Sequence, residues 1–303
     1  MSQSKLSQVF SYQSWVHAVS GATGGVIAMS VFYPLDTVRS RLQVENTDRR
    51  KALNTLQVIQ QLVREEGFST LYRGLVPVLQ SLCISNFVYF YAFHSLKALN
   101  GSAQQSAIRD LFLGSIAGII NVLSTTPFWV VNTRIKMRGV SGLVDDSSKK
   151  YKNLLEGLVY IGKTEGIAGL WSGTIPSLML VINPALQFMM YEMLKRRLTN
   201  AYGEISSPAY FLIGAAAKAF ATVLTYPIQL VQTKQRHRSV SDEFAKNAGT
   251  IQMVLTILRA QGAKGLFRGL EAKILQTVLT AALMFSIYEK VAKGVGVVLA
   301  KKS

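Results

Sequence analysis

Lys218 is the one charged residue in the stretch Ile205–Thr233. If that stretch lies in hydrocarbon, a lysine there costs about 2.5–3.5 kcal/mol on insertion scales. Such a residue marks a pathway or a partner, and an anionic ligand is the natural partner. With Gln229 taken as inward, eleven residues at about 100° each bring Lys218 back to within about 20° of the same face. Thr222 and Thr225 fall between them. The stripe offers an ammonium, two hydroxyls and an amide, which suits holding a phosphate at middle depth. It does not suit breaking a bond: His17, His94 and His237 are scattered, Cys83 is the sole cysteine, and neither a Walker loop nor an acidic metal cluster is present. The sequence therefore reads as no enzyme, with no metal site and no permanently bound cofactor.

A second set of ionisable residues follows a proline in Pro34-Leu35-Asp36-Thr37-Val38-Arg39. Pro127 and Pro227 recur 93 and 100 residues later, with Trp129 and Asn132, then Gln229 and Gln232, at the corresponding places. Downstream of each proline lies another landmark, a glycine, four residues, an aromatic, one residue and a glycine: Gly67 to Gly74, Gly166 to Gly173, and Gly262 to Gly269. Its first glycines are 99 and 96 residues apart. Two landmarks repeating in register imply three tandem units of about 100 residues, 1–102, 103–202 and 203–303.

Composition supplies the elements that position these groups. The 303 residues carry 33 Lys+Arg against 16 Asp+Glu, a net charge of +17, yet only 16% are charged and mean hydropathy is +0.25. The basic residues avoid the long apolar tracts, so a membrane protein fits better than a nucleic-acid binder. Charge-poor tracts long enough to cross about 30 Å of hydrocarbon run Trp15–Leu35, Gly74–Phe93, Leu111–Thr133, Ser172–Tyr191 and Ile205–Thr233, with a shorter sixth at Ile274–Tyr288. The expected fold is all-α, with six transmembrane helices. Amphipathic stretches such as Leu53–Val63 predict one short surface helix per repeat. Glu45–Lys51, Ser141–Lys152 and Ser239–Asn247 read as loops, and the residues before the first span read as neither a signal peptide nor an arginine-rich transit peptide.

These residues resemble the mitochondrial carrier superfamily (solute carrier family 25), whose odd helices end in Pro-x-acid-x-x-base. Asn86–Tyr91, Pro127–Arg134 and Gly269–Thr277 look like its peroxisomal membrane branch. The resemblance implies a pseudo-threefold bundle that exchanges anionic adenine-containing molecules by alternating access: CoA, FAD, NAD and AMP, ADP or ATP. It implies an inner gate at Pro34, Asp36, Arg39, Pro127, Trp129, Asn132, Pro227, Gln229 and Gln232. Two signature copies lack charge, so neutral amides are expected to take the place of ion pairs there. An aromatic-acid-x-x-base pattern on the even helices implies an outer gate at His94, Lys97, Glu192, Lys195 and Glu289. Substrate contacts are expected at Lys218, Thr222, Thr225, Asn86, Tyr89, Leu180, Gln276 and Thr277, with Lys273 a turn away. A monomer in membrane lipid is implied, inserted into the peroxisomal membrane with an import receptor as partner, and without nucleic acid. The alternatives are a nucleotide or cofactor carrier of the mitochondrial inner membrane and a non-transporting scaffold that kept the fold.

Overall fold

The computed structural model describes residues 26–44, 54–99, 107–137, 151, 153–237 and 249–283. Among the described residues the ordered structure is helical, with no strand. In chain order the helices include α1 (Tyr33–Val44), α2 (Thr55–Glu66), α3 (Leu75–Leu99), α4 (Ala107–Lys136), α5 (Leu154–Thr164), α6 (Thr174–Met179), α7 (Asn183–Tyr202), α8 (Ser207–His237) and α9 (Thr250–Leu266), with short helical turns at Phe68–Tyr72, Gly166–Leu170 and Leu180–Ile182 between them. Residues 270–283 form a further helix, α10, and residues 26–31 a helical run leading into α1.

Among the described residues, four segments are long and apolar enough to cross a membrane: Phe68–Lys97, Ile108–Lys136, Thr174–Tyr202 and Pro208–His237. Much of the first and last expected spans, and the three expected loops almost entirely, lie outside the described residues. Pro127 and Pro227 sit inside α4 and α8 without ending them, as membrane helices permit when neighbours restore the lost hydrogen bond.

The expected surface helices are α2, α5 and α9, one per repeat. Each lays an apolar edge on the end of its own odd helix. Val58 and Leu62 of α2 pack with Val38 and Leu42 of α1. Leu154 and Ile161 pack with Val130, Val131 and Ile135, and Met253 and Ile257 with Leu230 and Val231. An ion pair repeats beside the first two clusters: Arg41 reaches Glu66 at 2.9 Å, and Arg134 Nη2 reaches Glu165 at 2.9 Å.

The glycine landmark closes the threefold arrangement. All of its glycines have positive φ, between 65° and 85°, a region that side chains with a Cβ avoid. The second glycine of each landmark also lies against the odd helix of the next repeat. A Cβ on Gly74 would sit 3.5 Å from the Lys136 backbone, one on Gly173 3.2 Å from Gln232 O, and one on Gly269 3.2 Å from Arg39 O. Repeat one touches two, two touches three, and three touches one.

Gly262 has positive φ but open space around it, whereas a Cβ on Gly269 would also meet Tyr226 Oη at 3.0 Å. Both alanine variants carry a left-handed penalty of about 1–2 kcal/mol. Gly269→Ala is expected to lose about 1–3 kcal/mol more from overpacking, seen as the lower thermal midpoint of the detergent-solubilised protein. Equal midpoints for Gly262→Ala and Gly269→Ala would show that the cyclic contact carries no stability.

Candidate functional site

The proline-bearing ends of α1, α4 and α8 converge, and each pair is tied by a different bond. Lys136 of α4 forms an ion pair with Asp36 of α1, which Arg39 also contacts at 3.2 Å. Gln43 of α1 donates to Tyr226 Oη of α8 at 3.0 Å. Arg134 of α4 donates from Nε to the Arg236 carbonyl of α8 at 3.2 Å. Asp36, Gln43 and Tyr226 are all buried, and so is Lys136. Tyr226 Oη in turn donates to Arg268 O at 2.8 Å, as Tyr33 Oη does to Arg73 O at 3.0 Å in the first repeat.

Above this junction lies a cavity of about 290 Å³ whose wall is unusually cationic. Among the described residues, Arg39, Lys136, Arg236 and Lys273 line it against one carboxylate, Asp36, an excess of three positive charges. Trp129 lies across from Arg236, whose guanidinium is 5.9 Å from the indole ring. Val78 and Leu82 of α3 and Gln276 of α10 complete the side walls. A second cavity, about 360 Å³, opens between α3, α4 and α7, lined by Tyr89, Gly114, Gly118, Leu180 and Val181 among others. Among the described residues no cluster of His, Cys, Asp or Glu could hold a metal ion.

A model of the family described as mitochondrial carrier protein matches residues 10–102, 103–202 and 203–297, three copies that take in almost the whole chain. The chain belongs to the mitochondrial carrier family. It is 49% identical to the peroxisomal membrane protein PMP34 of Mus musculus, over 98% of this chain and 99% of that protein. It is 32% identical to the peroxisomal nicotinamide adenine dinucleotide carrier of Arabidopsis thaliana, over 94% of this chain and 97% of the relative. It is also 32% identical to the peroxisomal adenine nucleotide carrier 1 of Glycine max, over 95% and 93%.

In this carrier the signature amides Gln229, Gln232 and Asn132 show these contacts in the present state. Gln229 bonds to Thr225 of its own helix at 3.1 Å. Gln232 reaches Ser177 of α6 at 2.8 Å. Asn132 is buried with Oδ1 unpartnered. The charges stand one turn later, at Lys136 and Arg236, each nine residues beyond its proline. There a long side chain can cross to the neighbouring helix, which a short amide one turn earlier does not. The sequence reading missed Lys136, Arg236, Arg134 and Gln43. Comparing the repeats at that ninth position, occupied by Gln43, Lys136 and Arg236, would have found three of them.

The expected substrate contacts do not share one pocket. Gln276 lines the cationic cavity, and Thr277 is buried beside it, donating to Lys273 O at 2.8 Å. Tyr89 and Leu180 line the other cavity, because the Gly114 gap lets the phenol approach α4. Asn86 is exposed, one turn beyond Val78 and Leu82 on their stripe of α3. The Thr225 hydroxyl donates to Ala221 O at 2.7 Å and accepts from Asn183 at 3.0 Å and from Gln229, so its hydrogen-bonding capacity is filled in this state. Thr222 likewise is buried and donates to Lys218 O at 2.7 Å. Lys218 is exposed and within electrostatic reach of Lys273.

Among the described residues, the outer-gate candidates pair with neighbours other than one another across the even helices. Lys97 pairs with Asp110 of α4 at 3.3 Å because the α3–α4 hairpin brings them together. Glu192 contacts Lys195 and Arg196 of its own helix at 3.9 Å. His94 is exposed, and Glu289 lies outside the described residues. The contacts of this carrier thus gather at the proline end.

Tyr226→Phe strips Gln43 Nε2 of its acceptor and removes the donor to Arg268 O, whereas Tyr33→Phe removes a single donor. A buried polar group left without a partner costs about 1–3 kcal/mol. The Tyr226 variant is therefore expected to unfold at the lower temperature, and a larger loss in Tyr33→Phe would show that the α1–α8 bond is not part of the junction.

Proposed function

We propose that this carrier exchanges anionic, adenine-containing molecules, namely CoA, FAD, NAD and AMP, ADP or ATP, across the peroxisomal membrane by alternating access. The observation that carries the reading is the cavity, closed at the proline end, in which four cations face one carboxylate. Three uncompensated positive charges at membrane depth call for a polyanionic ligand. The names of the peroxisomal relatives, which specify a dinucleotide in one case and adenine nucleotides in another, support the substrate class and the membrane.

The residues divide the work by position. The junction of α1, α4 and α8 acts as the inner gate, and the even-helix residues His94, Lys97, Glu192, Lys195 and Glu289 act as the outer gate. A substrate moves the carrier between states only through a difference in affinity for them, so strict exchange is expected in place of a free channel. Lys218 meets the phosphates at middle depth. Gln276 and Thr277 flank the deeper end of the path, and Asn86, Tyr89 and Leu180 wall the base and ribose. Each repeat, 1–102, 103–202 and 203–303, contributes one odd and one even helix to this path, and the chain works as a monomer without a resident cofactor.

Exchange in proteoliposomes tests the reading. Uptake of labelled AMP or CoA should require a member of the same class inside, and uptake into empty liposomes at the same rate would contradict exchange. Lys218→Ala is expected to lower the initial rate at least about tenfold, or about 1.4 kcal/mol, at matched insertion, with Lys218→Arg keeping part of it. Wild-type rates in Lys218→Ala would remove Lys218 from the path. Imaging a tagged protein checks the membrane, since strict overlap with mitochondria would favour the inner-membrane alternative.

A further inference from the structure

Ser177 stands between the two cavities. It lines the one between α3, α4 and α7, together with Leu180, Val181 and Pro184. These four residues follow one another at i, i+3, i+4 and i+7, a single stripe that runs from α6 through the 3₁₀ turn Leu180–Ile182 into α7. On its other side the buried Ser177 hydroxyl meets α8. Gln232 Nε2 donates to Oγ at 2.8 Å and Arg236 Nη2 donates to it at 3.0 Å. Both of those residues line the cationic cavity.

The hydroxyl has no spare capacity. It has one proton and two lone pairs; the proton goes to the Gly173 carbonyl and the lone pairs take the two donors of α8. Gly173 presses on the same turn, since a Cβ there would sit 3.2 Å from Gln232 O and 3.1 Å from Arg236 Cγ. The grip is peculiar to the second repeat. The fourth residue after the second landmark glycine is Val78 in the first repeat and Lys273 in the third, and neither side chain can accept a hydrogen bond. Among the described residues neither Gln232 Nε2 nor Arg236 Nη2 has another acceptor, so without Ser177 Oγ both lose their hold on α6.

We propose that Ser177 is a positioning residue that couples occupancy of the cavity between α3, α4 and α7 to the Gln232–Arg236 turn of α8. An occupant pressing on Leu180 and Val181 acts one turn from Ser177, on the same stripe. The 3₁₀ turn between them holds poorer hydrogen bonds than an α-helix and yields more readily. A shift of α6 then carries Gln232 and Arg236 with it, and by reciprocity the state of that turn alters the hold on the occupant. The inference deepens the transport reading and rests on it for the occupant, the base of an adenine-containing substrate.

The test measures uptake of labelled AMP into proteoliposomes with and without internal AMP, and takes the ratio of the two rates. A variant that only loses folded protein lowers both rates and leaves the ratio unchanged. Ser177→Ala is expected to lower the ratio at least about fivefold, the lower end of ordinary coupling between sites. Ser177→Thr, which restores the hydroxyl, should keep most of the wild-type ratio. Thr256→Ala removes a hydroxyl that only bonds back along exposed α9, to Gln252 O at 2.9 Å, and should behave as wild type. In the Ser177→Ala background, adding Gln232→Leu should change the ratio and the thermal midpoint in detergent by less than it does alone, because the bond is already gone. An unchanged ratio in Ser177→Ala, or fully additive effects in the pair, overturns the coupling. Wild type without exchange would overturn the transport reading instead, and the midpoint cycle would still decide whether Ser177 holds α6 to α8.

Discussion

The structure turns on one buried carboxylate. Among the described residues Asp36 is the one anion lining a cavity with four cations, and it pairs α1 with α4. A buried charge is tolerated when it is paired and hydrogen-bonded, and removing one partner of such a pair costs about 3–5 kcal/mol. Asp36 meets that condition through Lys136 and Arg39, with Ser40 beside the Lys136 ammonium at 3.5 Å. The other two seams, Gln43 with Tyr226 and Arg134 with the Arg236 carbonyl, are neutral or single hydrogen bonds. A junction with one ionic seam and two weaker ones is firm enough to close and shallow enough to open.

The cyclic glycine contacts explain why that junction can form. Positive-φ glycines let the chain turn from each surface helix back into the bundle, and the missing Cβ lets the turn lie on the next odd helix. Each repeat thereby braces its neighbour at the level of the gate. The packing of α2, α5 and α9 on the ends of their own odd helices adds a second ring outside the first. Rigid repeats that meet at a few polar seams are the arrangement in which a ligand can shift one seam without unfolding the rest.

Much of this was legible in the sequence. The landmark glycines were readable because backbone conformation leaves a mark on residue type that does not depend on neighbours. The spans and surface helices were readable from apolar period and length. The seams were harder. The fifth residue beyond each proline, Arg39, Asn132 and Gln232, drew attention to amides, while the crossing charges stand at the ninth. Helical phase could not show that Asn183 and Gln229 would saturate the Thr225 hydroxyl. The gap at Gly114 decides which cavity the Tyr89 ring enters, and helical phase does not reveal it.

The most direct test of the account is charge reversal across the Asp36–Lys136 seam, read as exchange rate in proteoliposomes. Asp36→Lys should abolish exchange, because five cations then crowd the junction with no anion to hold α1 to α4. Combining it with Lys136→Asp should restore a substantial part of the rate, since the pair is re-formed with its ends exchanged. A double variant as inactive as Asp36→Lys alone would contradict the claim that this ion pair, in this carrier, is the seam on which closure depends.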